Sequence, residues 1–335
     1  MQLLRKLLFP FSLVYGLIVY IRNSLYDRGI LESKEFDVPT ICIGNLSVGG
    51  TGKTPMTEFL IKLLQPKYKI AVLSRGYKRK SSGFVLANDN ASVEQLGDEP
   101  YQIYRKFKNI TVAVDADRRE GIRQLVKRVH PDLILLDDAF QHRKVNPGFS
   151  ILLTSYGNLY VDDWYLPTGD LRDSKYAAKR ADLIVVTKCS PLLSNEEQKN
   201  IIAKLKSRKN QRVLFTFFEY DELVKNDKES IKLSEFAGRR LTLVTGIANP
   251  EPLVKYLKEK GFPMEHLAFN DHHFFSEKEI DELKTRELII TTEKDYVRLC
   301  NKLSNLFYLP VKHAFLSDGE YMIGEELNTF MKAKT

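Results

Sequence analysis

The segment GNLSVGGTGKTP occupies residues 44–55, entered from the apolar run TICIG (40–44) and followed by the amphipathic MTEFLIKLL (56–64). Glycines, a lysine and hydroxyls between a strand-like and a helix-like stretch have the composition of a phosphate-binding turn. Backbone N–H groups, freed to curve by Gly49, Gly50 and Gly52, can wrap an anion where a helix dipole favours negative charge. Lys53 would then reach the outer phosphates and Thr54 would hold magnesium. Pro55 falls in the first helical turn, where its missing N–H costs little. Only Ser47 departs from GxxxxGK(S/T), and serine is tolerated at a position that needs no positive φ. The expected nucleotide contacts are Ser47, Val48, Gly49, Gly50, Thr51, Gly52, Lys53 and Thr54. The competing reading is a glycine-rich turn without a ligand.

Outward from this turn, short β-branched runs alternate with helical stretches: IAVLS (70–74), TVAVD (111–115), LILLD (133–137), SILLT (150–154), LIVVT (183–187) and VLFTFF (213–218). Such alternation predicts βαβ units and a mostly parallel sheet with helices on both faces. A second, smaller α/β series follows with LTLVT (241–245), HLAFN (266–270), LIITT (288–292) and LFYLP (306–310), after the polar linker EYDELVKNDKESIKLSEFAGRR (219–240). The expected organisation is therefore an N-terminal helix over 1–30, a P-loop core over 31–218 and a linker with a smaller C-terminal α/β domain over 219–335.

With 335 residues, 43% hydrophobic and 28% charged, the chain has ample length for two cores. Its three cysteines form no CxxC pair and no zinc-type cluster, so neither a disulfide framework nor a structural metal is expected. A net charge of +8 suits an anionic membrane surface or a phosphorylated substrate, and the absence of RNA-binding or zinc-finger signatures argues against nucleic acid. The first residues give a basic lead and then an apolar stretch from Leu7 to Ile21, broken by Pro10, Ser12 and Gly16. That is short of the roughly 20 residues that span a bilayer as a helix. The favoured reading is an interfacial membrane helix, against export or burial in the protein's own core.

LILLDDAFQH (133–142) ends a strand in Asp137 and Asp138, the carboxylates a nucleotide enzyme needs near its magnesium, although a helix N-cap reads similarly. LGDEP (96–100) carries Asp98 and Glu99, which spacing alone would read as a helix start. Arg75, Arg118 and Arg119 could grip phosphate oxygens or simply be solvated. VVTKCS (185–190) begins a guanine-reading (N/T)KxD pattern but has Ser190 where aspartate is required, which favours adenine.

VPTICIGNLSVGGTGKTP, VLSRGYKR, GDEP, DRREG, LDDAFQH, LPTGDLRD, VTGIANP, DHHFF and TTEKD occur in that order along most of the chain. In this ordered set the sequence resembles the tetraacyldisaccharide 4'-kinases of lipid A synthesis. The resemblance implies that ATP, with Mg2+, phosphorylates the 4'-hydroxyl of an acylated glucosamine disaccharide 1-phosphate at the cytoplasmic face of the inner membrane. The partners it implies are this lipid and the anionic membrane surface, with no obligate protein partner. It further implies that Asp98 is the base, paired with His272 rather than His273, with Lys53 completing the catalytic set. Metal contacts would come from Thr54, Asp137, Asp138 and Asp173, and acceptor contacts from Arg75, Glu99, Arg118, Arg119, Gln141, His142 and Arg172. Two departures stand out: LRDS replaces the commoner LREP at Asp173, and Ala139 replaces a frequent glycine. The rival reading is a P-loop GTPase or ATPase for metal or cofactor delivery.

Overall fold

The structure is a computed structural model describing residues 2–334, so the outermost residues of the expected 1–30 and 219–335 segments lie outside it. The chain first lays down β1 (Thr40–Asn45), β2 (Ile70–Ser74), β3 (Val85–Leu86), β4 (Thr111–Val114), β5 (Leu133–Asp137), β6 (Phe149–Ser155), β7 (Leu183–Thr187) and β8 (Arg212–Tyr220). It then builds β9 (Leu223–Lys225), β10 (Ser230–Lys232), β11 (Leu241–Thr245), β12 (Met264–Ala268), β13 (Leu288–Thr291) and β14 (Leu306–Tyr308), and ends its strands with β15 (Val311–Phe315). Among the described residues these form a nine-stranded sheet, order β15-β8-β7-β6-β1-β5-β2-β4-β3, and a six-stranded sheet, order β10-β9-β14-β13-β11-β12.

The larger sheet is parallel except at its two edges, where β15 pairs with β8 and β3 with β4 in antiparallel fashion. The phosphate-loop strand β1 lies between β5 and β6 and is buried along its whole length. Because side chains alternate across a strand, Ile41 and Ile43 face one core and Cys42 the other. The first core is covered by Met56, Leu60, Ile61 and Leu64 of the Lys53–Leu64 helix, and the second by Ile122 and Leu125 of the Arg118–Val129 helix. Helices on both faces are what a buried parallel sheet requires.

The sheets divide the chain differently from the expected boundary at residue 219. Residues 221–310 hold the smaller sheet, and the chain then returns through β15 to the edge of the larger one. The Gly319–Lys332 helix follows and places Ile323, Leu327 and Met331 in the same core as Ile41 and Met56. The return escaped sequence reading because VKHAF (311–315) carries a lysine and a histidine on a short edge strand, with no continuous apolar run. The smaller unit is thus an insertion, entered and left side by side: the Asp221 N–H donates to the Pro310 carbonyl at 3.0 Å.

At the N-terminus the Phe9–Asp27 helix buries Ser12, Gly16, Val19 and Asn23, a stripe of mostly small and polar residues at helical spacing. Ser12 donates to Thr168 Oγ1 at 2.7 Å and Asn23 to Asp173 Oδ1 at 2.6 Å. At Gly16 any Cβ would come within 2.8 Å of the Tyr165 ring, so glycine permits the close approach. The apolar residues point the other way: Phe11, Leu13, Val14, Leu17 and Ile18 are exposed, Phe11 by 65%. Burial in the protein's own core is therefore not how this helix hides its apolar side. Among the described residues no helix is long and apolar enough to cross a membrane.

Leu327 is fully buried, so Leu327→Ala should destabilise the larger unit by about 2–5 kcal/mol in urea unfolding. A loss below about 0.5 kcal/mol, the scale of surface substitutions, would mean that the C-terminal helix is not part of that core.

Candidate active site

A cleft of about 630 Å³ runs between the two sheets. The loop Val48–Thr54 forms its floor on the larger unit, and Asn249, Asp271, His272 and Lys294 face it from the smaller one. Gly49 and Gly52 have φ of +106° and +87°, which side-chain-bearing residues rarely adopt, so the loop's curvature depends on them. Ser47 has no such φ. Its hydroxyl turns away from the loop and donates to Asp163 Oδ2 at 2.7 Å, while its backbone bridges to Leu171. It therefore supports the loop from behind, and the expectation that it contacts nucleotide is corrected to a bracing role.

Lys53 Nζ lies 3.6 Å from Asp138 Oδ1, which also accepts from Arg172 Nη2 at 3.1 Å. Burial alone would raise the Asp138 pKa, but Lys53 and Arg172 outweigh it and hold the carboxyl below its ordinary value. Its neighbour Asp137 is sealed from solvent, accepting from Ser74 Oγ at 3.1 Å and more weakly from Thr57. Burial, with Glu99 and Asp138 nearby, raises the Asp137 pKa. Thr54 and Asp138 line the cleft, and Asp137 stands directly behind. Among the described residues no three His, Cys, Asp or Glu side chains gather as a metal cage. A few hard oxygen donors beside a phosphate loop fit magnesium, which keeps water and phosphate oxygens in its shell. The positive φ in this turn falls on Asp138 (+45°), not Ala139, so the alanine needs no adjustment.

Asp98 opens the Asp98–Lys106 helix without capping it; Gly97 takes the cap position. Its carboxylate is instead bound across the cleft by the smaller unit. His272 Nδ1 lies 2.6 Å from Oδ2, Arg298 Nε donates to Oδ1 at 2.9 Å, and Arg298 Nη2 closes the fork on Oδ2. Burial would raise the Asp98 pKa, yet these bonds and the guanidinium charge hold it far below the usual carboxylate range. An ionised Asp98 accepts from Nδ1–H, which leaves the His272 Nε2 lone pair facing the cleft, 3.0 Å from Lys294 Nζ. Lys294 is itself drawn toward Glu99 at 3.4 Å and Asp271 at 3.6 Å. His273, the possible confusion, bonds Glu279 and stacks on Phe269, away from this cluster.

The remaining candidates separate into groups. Glu99 and Arg172 line the cleft. Gln141 donates to the Asn45 carbonyl and its own carbonyl accepts from Arg22 of the N-terminal helix at 2.8 Å. Arg118 is buried, donating to the Asp115 and Ala116 carbonyls, and Arg119 sits 3.6 Å from Asp117. His142 is pushed down to about 4 by burial and the Arg118 charge. His142 Nε2 and the Nε atoms of Arg118, Arg119 and Arg172 are buried without a partner. Arg75 is exposed and outside the cleft. Asp173 corrects the metal assignment: buried away from the cleft, it accepts from Asn23, Arg180 and the Ser174 N–H, so it anchors the N-terminal helix. Arg298 went unnoticed in the sequence, where its only signal was closeness to TTEKD; Asp271 belongs to DHHFF, and Lys294 to TTEKD, a motif whose reading stood open between a nucleotide contact from the second domain and a strand end.

A sequence profile described as tetraacyldisaccharide-1-P 4'-kinase matches residues 4–329. Tetraacyldisaccharide 4'-kinase of Flavobacterium johnsoniae is 53% identical over 95% of this chain and 94% of its own. The enzyme of the same name from Bacteroides thetaiotaomicron is 42% identical over 99% and 94%. Among solved structures, LpxK from Aquifex aeolicus, crystallised in complex with ATP, superposes with a TM-score of 0.81 at 30% identity, covering 98% of this chain and 99% of that one. The chain belongs to the tetraacyldisaccharide-1-phosphate 4'-kinase family.

Proposed function

We propose that this chain transfers the γ-phosphoryl group of ATP to the 4'-hydroxyl of an acylated glucosamine disaccharide 1-phosphate, from the cytoplasmic side of a membrane. The observation that carries this reading is the meeting, in one cleft, of a phosphate loop from one unit and His272 from the other, bonded to Asp98. The backbone N–H groups of Gly49, Gly50, Gly52, Lys53 and Thr54 bind the triphosphate, that of Val48 being already given to the Asp170 carbonyl, and Lys53 neutralises its outer charge. Magnesium, when bound through Thr54 and Asp138 with Asp137 behind, would offset negative charge on the phosphates.

Asp98 and His272 act as one proton-accepting unit. The carboxylate fixes Nδ1–H and stabilises the imidazolium, and Nε2 takes the proton of the attacking hydroxyl. In the free chain Lys294 occupies that position and would give way to the acceptor alcohol. Expectation had put the base function on Asp98 itself; its fork with Arg298 favours His272 Nε2 as the first recipient. Glu99 and Arg172, which line the cleft, are proposed to bind the acceptor together with Arg119, His142 and Gln141. The Arg172 guanidinium suits an anionic group of the acceptor.

The N-terminal helix is proposed to lie in the membrane interface with its apolar side in lipid. It runs beside this end of the cleft: Tyr15 donates to the Arg172 carbonyl at 3.0 Å, and Arg143 to the Asn23 carbonyl at 3.0 Å. Exposed Trp164 and Tyr176, the former edge-on to Phe9, suit the polar–apolar boundary.

Thin-layer chromatography with γ-labelled ATP should put label in a chloroform-soluble product; label released only as inorganic phosphate would overturn the kinase reading in favour of a hydrolase. Asp98→Ala should lower kcat by about 10²–10⁴-fold while changing ATP affinity by less than about threefold. Rates like those of the wild type would remove Asp98 from the proton-accepting unit. Deleting residues 1–21 should abolish flotation with anionic liposomes, and unchanged flotation would sink the interfacial role of the helix.

A further inference from the structure

One buried titratable side chain takes no part in the chemistry above. His313 on β15 is 4% exposed and lies directly beneath the phosphate loop. Its Nε2 is 2.9 Å from the Gly52 carbonyl and its Nδ1 is 2.9 Å from Thr216 Oγ1 on β8. A carbonyl only accepts, so Nε2 carries the proton, Nδ1 accepts, and the Thr216 hydroxyl donates. Burial, with Lys188 nearby, pushes the ring down to about 4, against the pull of the Gly52 bond, so this neutral tautomer persists at neutral pH. The fit is steric as well: a Cβ at Gly52 would meet His313 Nε2 at 2.9 Å and Phe218 Cζ at 3.1 Å.

The two strands that meet at His313 are those through which the smaller unit is attached. β8 leads out to it at Tyr220, β15 returns from it at Val311, and both residues line the cleft. Phe218, opposite His313 in register and 5.2 Å from it ring to ring, lines the cleft as well. We propose that His313 is a positioning residue for phosphoryl transfer, tying the Gly52 peptide to the β8–β15 ribbon so that the loop's grip on nucleotide depends on how the smaller unit is held. It touches no reacting atom. Its role is to fix the peptide just before Lys53 in the one conformation that aims the loop's N–H groups and the lysine at a triphosphate.

The test is steady-state kinetics of the full-length enzyme, varying MgATP and acceptor separately, on His313→Leu, His313→Gln and Thr216→Val. Leucine fills space without donating, and should raise KM for MgATP by about tenfold or more while moving KM for the acceptor less than about twofold. Glutamine can restore the donor to Gly52 and should recover most of that loss. Thr216→Val keeps the ring but removes the donor that sets its tautomer, and should raise KM for MgATP about threefold. Should the leucine variant fail to fold, the other two decide. The proposal is overturned if KM for MgATP stays within twofold of wild type in Thr216→Val, or if glutamine does no better than leucine. A lower melting temperature with unchanged nucleotide KM would likewise reduce His313 to a packing residue.

Discussion

A carboxylate removed from water must be answered by charge or hydrogen bonds, and Asp98 at the seam between the two sheets is answered entirely from the other side. Arg298 forks its two oxygens, and His272 takes the remaining acceptor direction. Stripping one partner from such a buried pair typically costs about 3–5 kcal/mol, because the other charge is left uncompensated. The cleft is therefore closed by the same carboxylate that is proposed to take part in proton transfer. Arg298 also reaches Asp295 and the His273 carbonyl, so the ion pair is rooted in the smaller unit's own backbone.

The same seam explains a division of labour. The larger unit supplies the phosphate loop and the adjoining aspartates, whose geometry follows from strands β1 and β5 lying in register. The smaller unit supplies a histidine at a strained position, φ +60°. Strain of that kind survives only where surrounding contacts over-determine it. Here Asp98, Lys294 and the edge-on Tyr77 ring hold the imidazole on several sides. On the far side of the aspartates, a helix whose small and polar face is turned inward leaves its greasy face out, an inversion of what a soluble surface helix does.

What could be read in the residues was whatever backbone chemistry dictates locally. A triphosphate cradle needs glycine at 49 and 52 and a lysine at 53, and buried parallel strands need continuous apolar runs, so loop and sheet were legible. So was the pairing of Asp98 with His272, through likeness to a family. Arg298 was not, because it stands 200 residues from Asp98 and nothing in YVRL distinguishes a clasp from a solvated helix face. Ser47 and Asp173 were misread for a related reason. Each sits in a motif whose neighbours face the cleft, while its own side chain turns the opposite way to hold a loop or a helix.

The insertion of residues 221–310 between two adjacent strands has a consequence for biosynthesis. When β8 leaves the ribosome, its outer edge, bearing LFTFF (214–218), has no partner, and a whole second sheet must be translated before β15 arrives to cover it. Unpaired aromatic edges invite association with other chains. Synthesis of this protein therefore carries a window of stickiness that closes when Val311 through Lys332 seal the edge and complete the core together.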